Sequence, residues 1–552
     1  MKISNRAPLW RAPLTAIGFA IACALSSSGA AFARGAATES PGTATISAAQ
    51  MRDYLTFIAS DEMEGRATPS RGLDTAAKFI ATMLSRWGVK PGGDDGTYFQ
   101  KIAMSARRIS PEGASAAVTG RKLVYGEDYY TRSSSSAGTV TGTLVYAGDG
   151  WMVKATGADA FKGVDVKGKI VVINMAGGRR AGRLQGKSGE DWADPETYAK
   201  SRGAVGVLYL AADNSNWAML RRLNDQVRFG VDKFADNPSA PDAGMPTLVL
   251  KSSTAAQIFA GEASEASELY KSFAAGKSAS AFDLKPEKTF AFTTTVETVH
   301  AMSQNVVGIV EGSDPALKSE YVGVSAHYDH IGVTETPVNG DRVYNGADDD
   351  GSGTVGVLSI AEAASRAARH PKRSLLFIWH MGEERGLWGS RYFTMFPTVP
   401  LKQVSSLINI DMIGRSRKDG DTNPANKELT GPNAIYVIGA TMMSSELDSL
   451  CRKVNDNYLK LGYDFKYDDP KDPNGFFFRS DHVNYARQGI PILFYFDGVH
   501  EDYHRLGDEV SKIDFDKMEH VTRTIYQTLW ELANLHERVK LDKPTPPQLK
   551  PR

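Results

Sequence analysis

Between His327 and Gly353 the chain reads HYDHIGVTETPVNGDRVYNGADDDGSG, and this stretch restricts the possible folds more than any other. Two nearby histidines and three consecutive carboxylates crowd one connection, a composition that suits a metal site. The apolar run YVGVSA precedes it, and Gly351, Ser352 and Gly353 then open an apolar, alanine-rich segment ending near His370. That order predicts a strand, a loop and a helix on a sheet face. In open α/β sheets ligands collect at the carboxyl ends of strands, where this loop would lie.

The pattern continues over residues 304–540. Strand-like runs at 305–310, 321–326, 375–379, 404–410, 434–438 and 490–496 alternate with helical segments, including 444–458 and 515–536. Such alternation predicts a largely parallel or mixed sheet covered on both faces. Polar groups stop the apolar runs at recurring places. His327 and Asp329 follow YVGVSA, Asp349 precedes the helix start, Glu383 and Glu384 follow LLFIWHMG, Asp411 follows SLINI, and His504 comes shortly after ILFYF. If the strand ends converge, these carboxylates share a pocket with only two imidazoles. Such a cluster repels itself unless cations neutralise it. Two divalent ions would do so, each with one nitrogen ligand, one terminal carboxylate and a shared bridging carboxylate. Zinc accepts that mixture, and cobalt or manganese can substitute.

At 552 residues the chain exceeds one ordinary core, so two or three domains are expected. Residues 47–140 begin with two helical patterns, one carrying Met51, Leu55 and Ile58, the other Ala76, Phe79, Ile80, Met83 and Leu84. The connector between them, SDEMEGRATPSRG, is solvated or brings Glu64 or Arg66 to the main site. Residues 141–270 contain short β-type runs and no histidine. They read as a separate β-rich module that shapes or covers a site made elsewhere. Residues 271–303 read as a linker back to the last domain, and 541–552 as a C-terminal tail.

Residues 1–33 have the layout of a secretory signal: Lys2, Arg6 and Arg11, an apolar run from Leu14 to Leu25, and a small-residue end at Ala31-Phe32-Ala33. The run is too short for a stable membrane span. The composition of 34–46 predicts a disordered lead-in. Cleavage would remove three of 64 basic residues and no acidic ones, leaving 61 against 64 and a net charge of −3. Without a basic block, nucleic acid is an unsuitable partner. Export to the periplasm or the medium is the expectation. Only Cys23 and Cys451 are present, so removal of the leader leaves no intramolecular disulfide.

Five motifs, HYDH (327–330), NGADDDGSG (345–353), GEERGLWGS (382–390), NIDMIG (409–414) and YHRLGD (503–508), resemble in this order those of the M28 peptidase family of zinc exopeptidases. The resemblance implies a zinc-exopeptidase-like α/β fold, with a mixed, largely parallel sheet flanked by helices. It makes 304–540 the metallopeptidase catalytic domain and 141–270 an inserted protease-associated domain. In the metal site it implies, His327 and Asp411 hold one Zn2+, Glu384 and His504 hold a second, and Asp349 bridges the two. Glu383 matches the general base, and Asp329 the carboxylate that orients the His327 ring. The function expected is that of an exported di-zinc aminopeptidase acting through a metal-bridging hydroxide on peptides with a free amino terminus.

A dipeptidase or carboxypeptidase on the same framework would need a basic side chain for a terminal carboxylate, from among Arg66, Arg385, Arg415 and Arg479. A receptor-like peptide-binding protein with non-catalytic metals would have no need of Glu383 beside Glu384. Asp348 and Asp350 are expected to cap the helix or hold the loop. His330 and His380 are expected to support or pack behind the ligands. His482 either faces substrate or supports its loop, and Phe476-Phe477-Phe478 either lines an apolar pocket or packs beneath it.

Overall fold

The apolar runs of the last domain form neighbouring strands of one mixed sheet in the computed structural model. Their spatial order is Phe99–Val118, Thr289–Val310, Ser374–His380, Tyr321–His327, Val404–Ile410, Ile492–Phe496, Ala434–Ile438 and Gly462–Asp464. The four strands from Ser374–His380 to Ile492–Phe496 run parallel. Apart from Tyr321 every residue in them is buried, which is why the sequence shows continuous apolar runs instead of alternation.

Helices cover both faces. Ala48–Ile58, Arg71–Arg86, Gly353–Ser365, Ser445–Asn457 and Phe515–Asn534 bury Leu55, Leu84, Leu358, Leu447 and Ile525 in one core. Trp388–Met395 and His482–Arg487 bury Phe393 and Val483 on the other face. Local chemistry sets the helix starts: the Ser47, Ser70, Ser444 and Asp514 side chains accept the N–H of Gln50, Leu73, Leu447 and Lys517. Among the described residues no helix is long and apolar enough to cross a membrane.

The structure describes residues 39–175, 184, 186–212, 216–237, 244–277, 279–544, 546 and 549. The expected signal at 1–33, with Cys23, and residues 34–38 lie outside them. The remainder of the expected disordered lead-in differs from expectation. Thr43–Thr45 forms a short helix, Ile46 is buried, and the Ser40 hydroxyl donates to Gln527 Oε1 at 2.6 Å. Small residues permit this docking. Gly42 has φ 91°, and a Cβ there would lie 2.0 Å from the Ala363 carbonyl oxygen. Cys451 is buried and makes no disulfide among the described residues, and burial pushes its thiol up to about 12.

The β-rich module is built on parallel strands Gly138–Tyr146, Ile170–Asn174, Gly206–Leu210 and Thr247–Leu250, with helices that include Pro195–Ser201, Trp217–Asn224 and Ser252–Phe259. The boundary expected at 140/141 falls inside Gly138–Tyr146. The segment 271–303 expected as a linker is largely strand, because Thr289–Val310 runs antiparallel to Phe99–Val118 from Phe290↔Val118 to Val306↔Phe99. The α-helices of 47–140 end at Arg86, and a short turn of helix at Asp94–Gly96 leads into a 20-residue strand. Threonine- and valine-rich sequence favours this long ribbon, which continues from the main sheet into the module.

Candidate metal centre

The parallel strands put their carboxyl ends at one level: His327 pairs with His380, and Ser325 with Asn409. His327 is the last residue of its strand, Asp411 follows Val404–Ile410, and Glu383 and Glu384 lie just beyond Ser374–His380. Asp349 arrives from the turn Ala347–Ser352 that feeds the helix Gly353–Ser365. His504 comes from the loop after Ile492–Phe496 and has φ 57°.

These side chains meet. Asp349 places Oδ1 3.3 Å from His327 Nε2 and Oδ2 3.1 Å from His504 Nε2. Asp411 Oδ2 is 3.7 Å from His327 Nε2, and Glu384 Oε2 is 3.1 Å from His504 Nε2. Glu383 Oε2 stands 3.9 Å from His327 Nε2. Two groups of donor atoms lie close enough to hold an ion, His327 with Asp349 and Asp411, and His330 with Asp349 and Glu384. Two ligand atoms at tetrahedral angles around one zinc ion are about 3.3 Å apart. His327 Nε2, His330 Nδ1, Asp349 Oδ2 and Glu384 Oε1 are all buried without a hydrogen bond among the described residues. Buried polar atoms seldom lack partners, and this mixture of imidazole and carboxylate fits a pair of divalent cations.

The charge balance points the same way. Burial and the carboxylates of Asp411, Asp481 and Glu384 hold Glu383 well above the usual carboxylate range, against the opposing pull of His327. Burial would also raise Asp349, but the imidazoles of His327 and His504 beside it carry it well below. Burial lowers His504, yet Asp349 and Glu384 outweigh it and lift the imidazole to about 10. His327 is likewise lifted well above its ordinary value, by Glu383 and Asp411 against burial.

The structure adds detail to the sequence reading at two residues. His330, expected to pack behind the ligands, puts Nδ1 2.9 Å from Glu384 Oε1 and so faces the second group of donors together with His504. Its spacing in HYDH was the available signal. Asp329 touches the His327 ring mainly through its backbone: Nδ1 is 3.1 Å from the Asp329 carbonyl and 3.7 Å from its carboxylate. That carboxylate instead accepts the Glu383 N–H at 3.0 Å and the Thr68 hydroxyl at 3.1 Å.

Asp348 and Asp350 hold the loop. Asp350 accepts the N–H groups of His327, Gly353 and Met412, and Asp348 that of Gly414. Asp508, unassigned from sequence, accepts the N–H groups of both Asp348 and Asp349 and so fixes the shared aspartate. His500, also unassigned, sits with Nε2 3.2 Å from Asp348 Oδ2. His482 supports its loop: its ring stacks on Phe494, and Nε2 donates to the Phe477 carbonyl at 2.8 Å. His380 packs beneath, with Nε2 3.2 Å from the Tyr485 hydroxyl. A pocket opens beside Asp349, Glu383 and Asp411, with Phe476 in its wall, while Phe477 is buried.

Residues 305–529 match the model of Peptidase family M28. Among curated proteins, Leucine aminopeptidase 1 of Ajellomyces capsulatus is 28% identical over 227 residues, covering 40% of this chain and 54% of that protein. Leupeptin-inactivating enzyme 1 of Streptomyces exfoliatus is 26% identical over 250 residues, 45% of this chain and 48% of that protein. The chain spans about half the length of the curated relatives it matches. Among solved structures, an aminopeptidase from Aneurinibacillus sp. strain AM-1 superposes with a TM-score of 0.49 at 16% identity, covering 91% of this chain and 96% of that one.

Proposed function

We propose that this chain is an exported two-metal aminopeptidase that hydrolyses the first peptide bond of peptides with a free amino terminus. One observation carries the reading. Asp349 turns its two carboxylate oxygens toward different histidines, His327 and His504, each with a further carboxylate beside it. A carboxylate so divided is the natural bridge for two cations, and the donor set favours zinc, with cobalt or manganese as substitutes. His327 and Asp411 would hold one ion; Glu384 and His504, with His330 beside them, would hold the other. When bound, such ions would supply Lewis-acid polarisation of the scissile carbonyl and would make water there acidic enough to attack it.

The protein's own groups supply the proton transfers. Glu383 lines the pocket, and a carboxylate raised by burial and by neighbouring acids suits a base that accepts the water proton and returns it to the leaving amine. Asp329 holds the Glu383 backbone and Thr68 in place. The similarity to aminopeptidases supports the choice of an exopeptidase.

The module around 141–270 is assigned as a protease-associated domain that shapes access to the site. Ion pairs from its side, Asp236 to Arg391 at 2.8 Å and Arg222 to Glu335 at 3.6 Å, reach segments next to the metal centre. The leader layout of 1–33 supports delivery to the periplasm or the medium, and the mass of the mature amino terminus tests it.

The deciding experiment pairs peptides with free and acetylated amino termini on zinc-reconstituted protein. Cleavage of the free peptides alone is expected; equal cleavage of both would remove the aminopeptidase reading. A Glu383→Gln protein should bind both metals and turn over at least about 100-fold more slowly.

A further inference from the structure

The pocket beside the metal centre carries one positive charge that the reaction does not use. Of the arginines near the site, Arg66 is fully buried and donates to the carbonyls of Ile58, Tyr328, Asn345 and Gly346 at 2.7 to 3.0 Å. Arg415 is buried and donates to Asp502 at 3.0 Å. Arg385 is exposed and stands outside the pocket wall. Arg479, though exposed, lines the pocket together with Asp349, Glu383 and Asp411, and its guanidinium makes no hydrogen bond or ion pair among the described residues. Its guanidinium instead rests on Phe476, 4.8 Å from the ring centre.

The mount is firm. Gly475, in the left-handed region, opens the turn Phe476–Phe478, and Asp472 accepts the N–H groups of Asn474 and Phe476, each at 3.0 Å. The Arg479 N–H donates to the Phe476 carbonyl at 3.1 Å. Phe476 itself packs between Tyr467 and Phe496, with ring centres 4.6 and 4.9 Å away. A cation held on an aromatic face at the edge of a partly apolar pocket, with its forked donors unspent, is arranged for a planar anion.

We infer that Arg479 is the subsite for a substrate carboxylate lying within about one residue of the scissile bond. This rests on the peptidase reading and narrows its substrate class. An apolar side chain fits against Met412, Phe494 and Phe496, while the carboxylate meets Arg479. Two sources provide that carboxylate: the chain terminus of a dipeptide, or the side chain of an acidic residue at the cleavage point.

Two matched substrate pairs separate them on zinc-reconstituted full-length protein: Leu-Leu against Leu-Leu-amide, and glutamyl-anilide against glutaminyl-anilide. The wild type should prefer the acid of one pair by about tenfold in kcat/KM, mainly through KM. Preference in the first pair assigns a dipeptide terminus, and in the second an acidic side chain. Arg479→Gln should bring that ratio close to one, and Arg479→Lys should restore part of it. No acid preference in either pair, or one that Arg479→Gln retains, overturns the proposal. If none of the substrates is hydrolysed, the peptidase reading fails, and calorimetric titration with Leu-Leu and its amide decides the subsite by itself. Tighter binding of the acid, lost in Arg479→Gln, supports it, and equal binding overturns it.

Discussion

Asp329 Oδ1 accepts the backbone N–H of Glu383 at 3.0 Å, tying the end of one parallel strand to the loop that follows its neighbour. The same carboxylate lies 3.7 Å from His327 Nδ1, whose closer partner is the Asp329 carbonyl. Position and charge therefore make different predictions. Asparagine keeps an acceptor for the Glu383 N–H and loses the charge; alanine loses both. Asp329→Asn should retain at least about a tenth of wild-type kcat, and Asp329→Ala should fall about 100-fold, with two metals bound in each. Equal losses would show that the charge on His327 matters more than the hold on Glu383.

Asp349 predicts a non-additive metal stoichiometry. Because it serves both donor groups, Asp349→Ala should lower the affinity at both sites, whereas Asp411→Ala and His504→Ala should each weaken mainly one. Loss of a ligand or of its close support typically costs about 10- to 100-fold in affinity. Metal analysis after dialysis against graded chelator would read this directly. Two metals retained in Asp349→Ala would show that the ions do not share it.

Arg66 was a connector residue in the sequence, and in the structure it is a buried clamp. Its guanidinium ties the loop after Ala48–Ile58 to the backbone at Tyr328, Asn345 and Gly346, directly beneath the histidines. Substitution by methionine would leave four buried carbonyl groups with fewer donors, at about 1–3 kcal/mol for each one unsatisfied. Arg66→Met is expected to lose at least about 3 kcal/mol of stability in urea unfolding, and Arg66→Lys only part of the defect less. A loss below about 1 kcal/mol would mean that water replaces the guanidinium readily.

What could be read from sequence follows from how far each signal reaches along the chain. The parallel strands were legible because full burial forces long apolar runs, and the candidate ligands because they interrupt those runs at the same end. The first two thirds of the 22-residue strand Thr289–Val310 were hidden in an expected linker, and only its end at 305–310 was legible. Its alternating, half-exposed pattern pairs with a strand some 190 positions earlier, and no local window contains that partner. His330 was read as supporting the site, and its reach to Glu384 follows from its place only three residues from His327. Asp508 acts through backbone N–H groups about 160 positions away, a relation that side-chain spacing does not encode.

His482 makes a prediction for acid stability. Its ring stacks on Phe494 with centres 4.4 Å apart, Nε2–H donates to the Phe477 carbonyl, and Nδ1 is buried without a partner among the described residues, so the neutral tautomer is the one the fold accepts. Burial lowers its pKa to about 3, and burial does the same to His380. In the unfolded chain an imidazole titrates near 6.5. Between these values the unfolded state binds the proton and the folded state does not, so stability falls with falling pH. The contribution is complete above about pH 6.5 and is lost progressively toward pH 3. By pH 4 the loss through His482 is on the order of 3 kcal/mol. His482→Gln keeps an amide donor for the Phe477 carbonyl and cannot titrate. Urea unfolding of metal-free protein at pH 7 and pH 4 should show the wild type losing more stability than this variant by that order of magnitude. Metal-free samples are required at both pH values, because ligand protonation would release bound cations and add an unrelated slope. Equal losses in the two proteins would mean that His482 is charged in the fold, and its bond to Phe477 would then need another explanation.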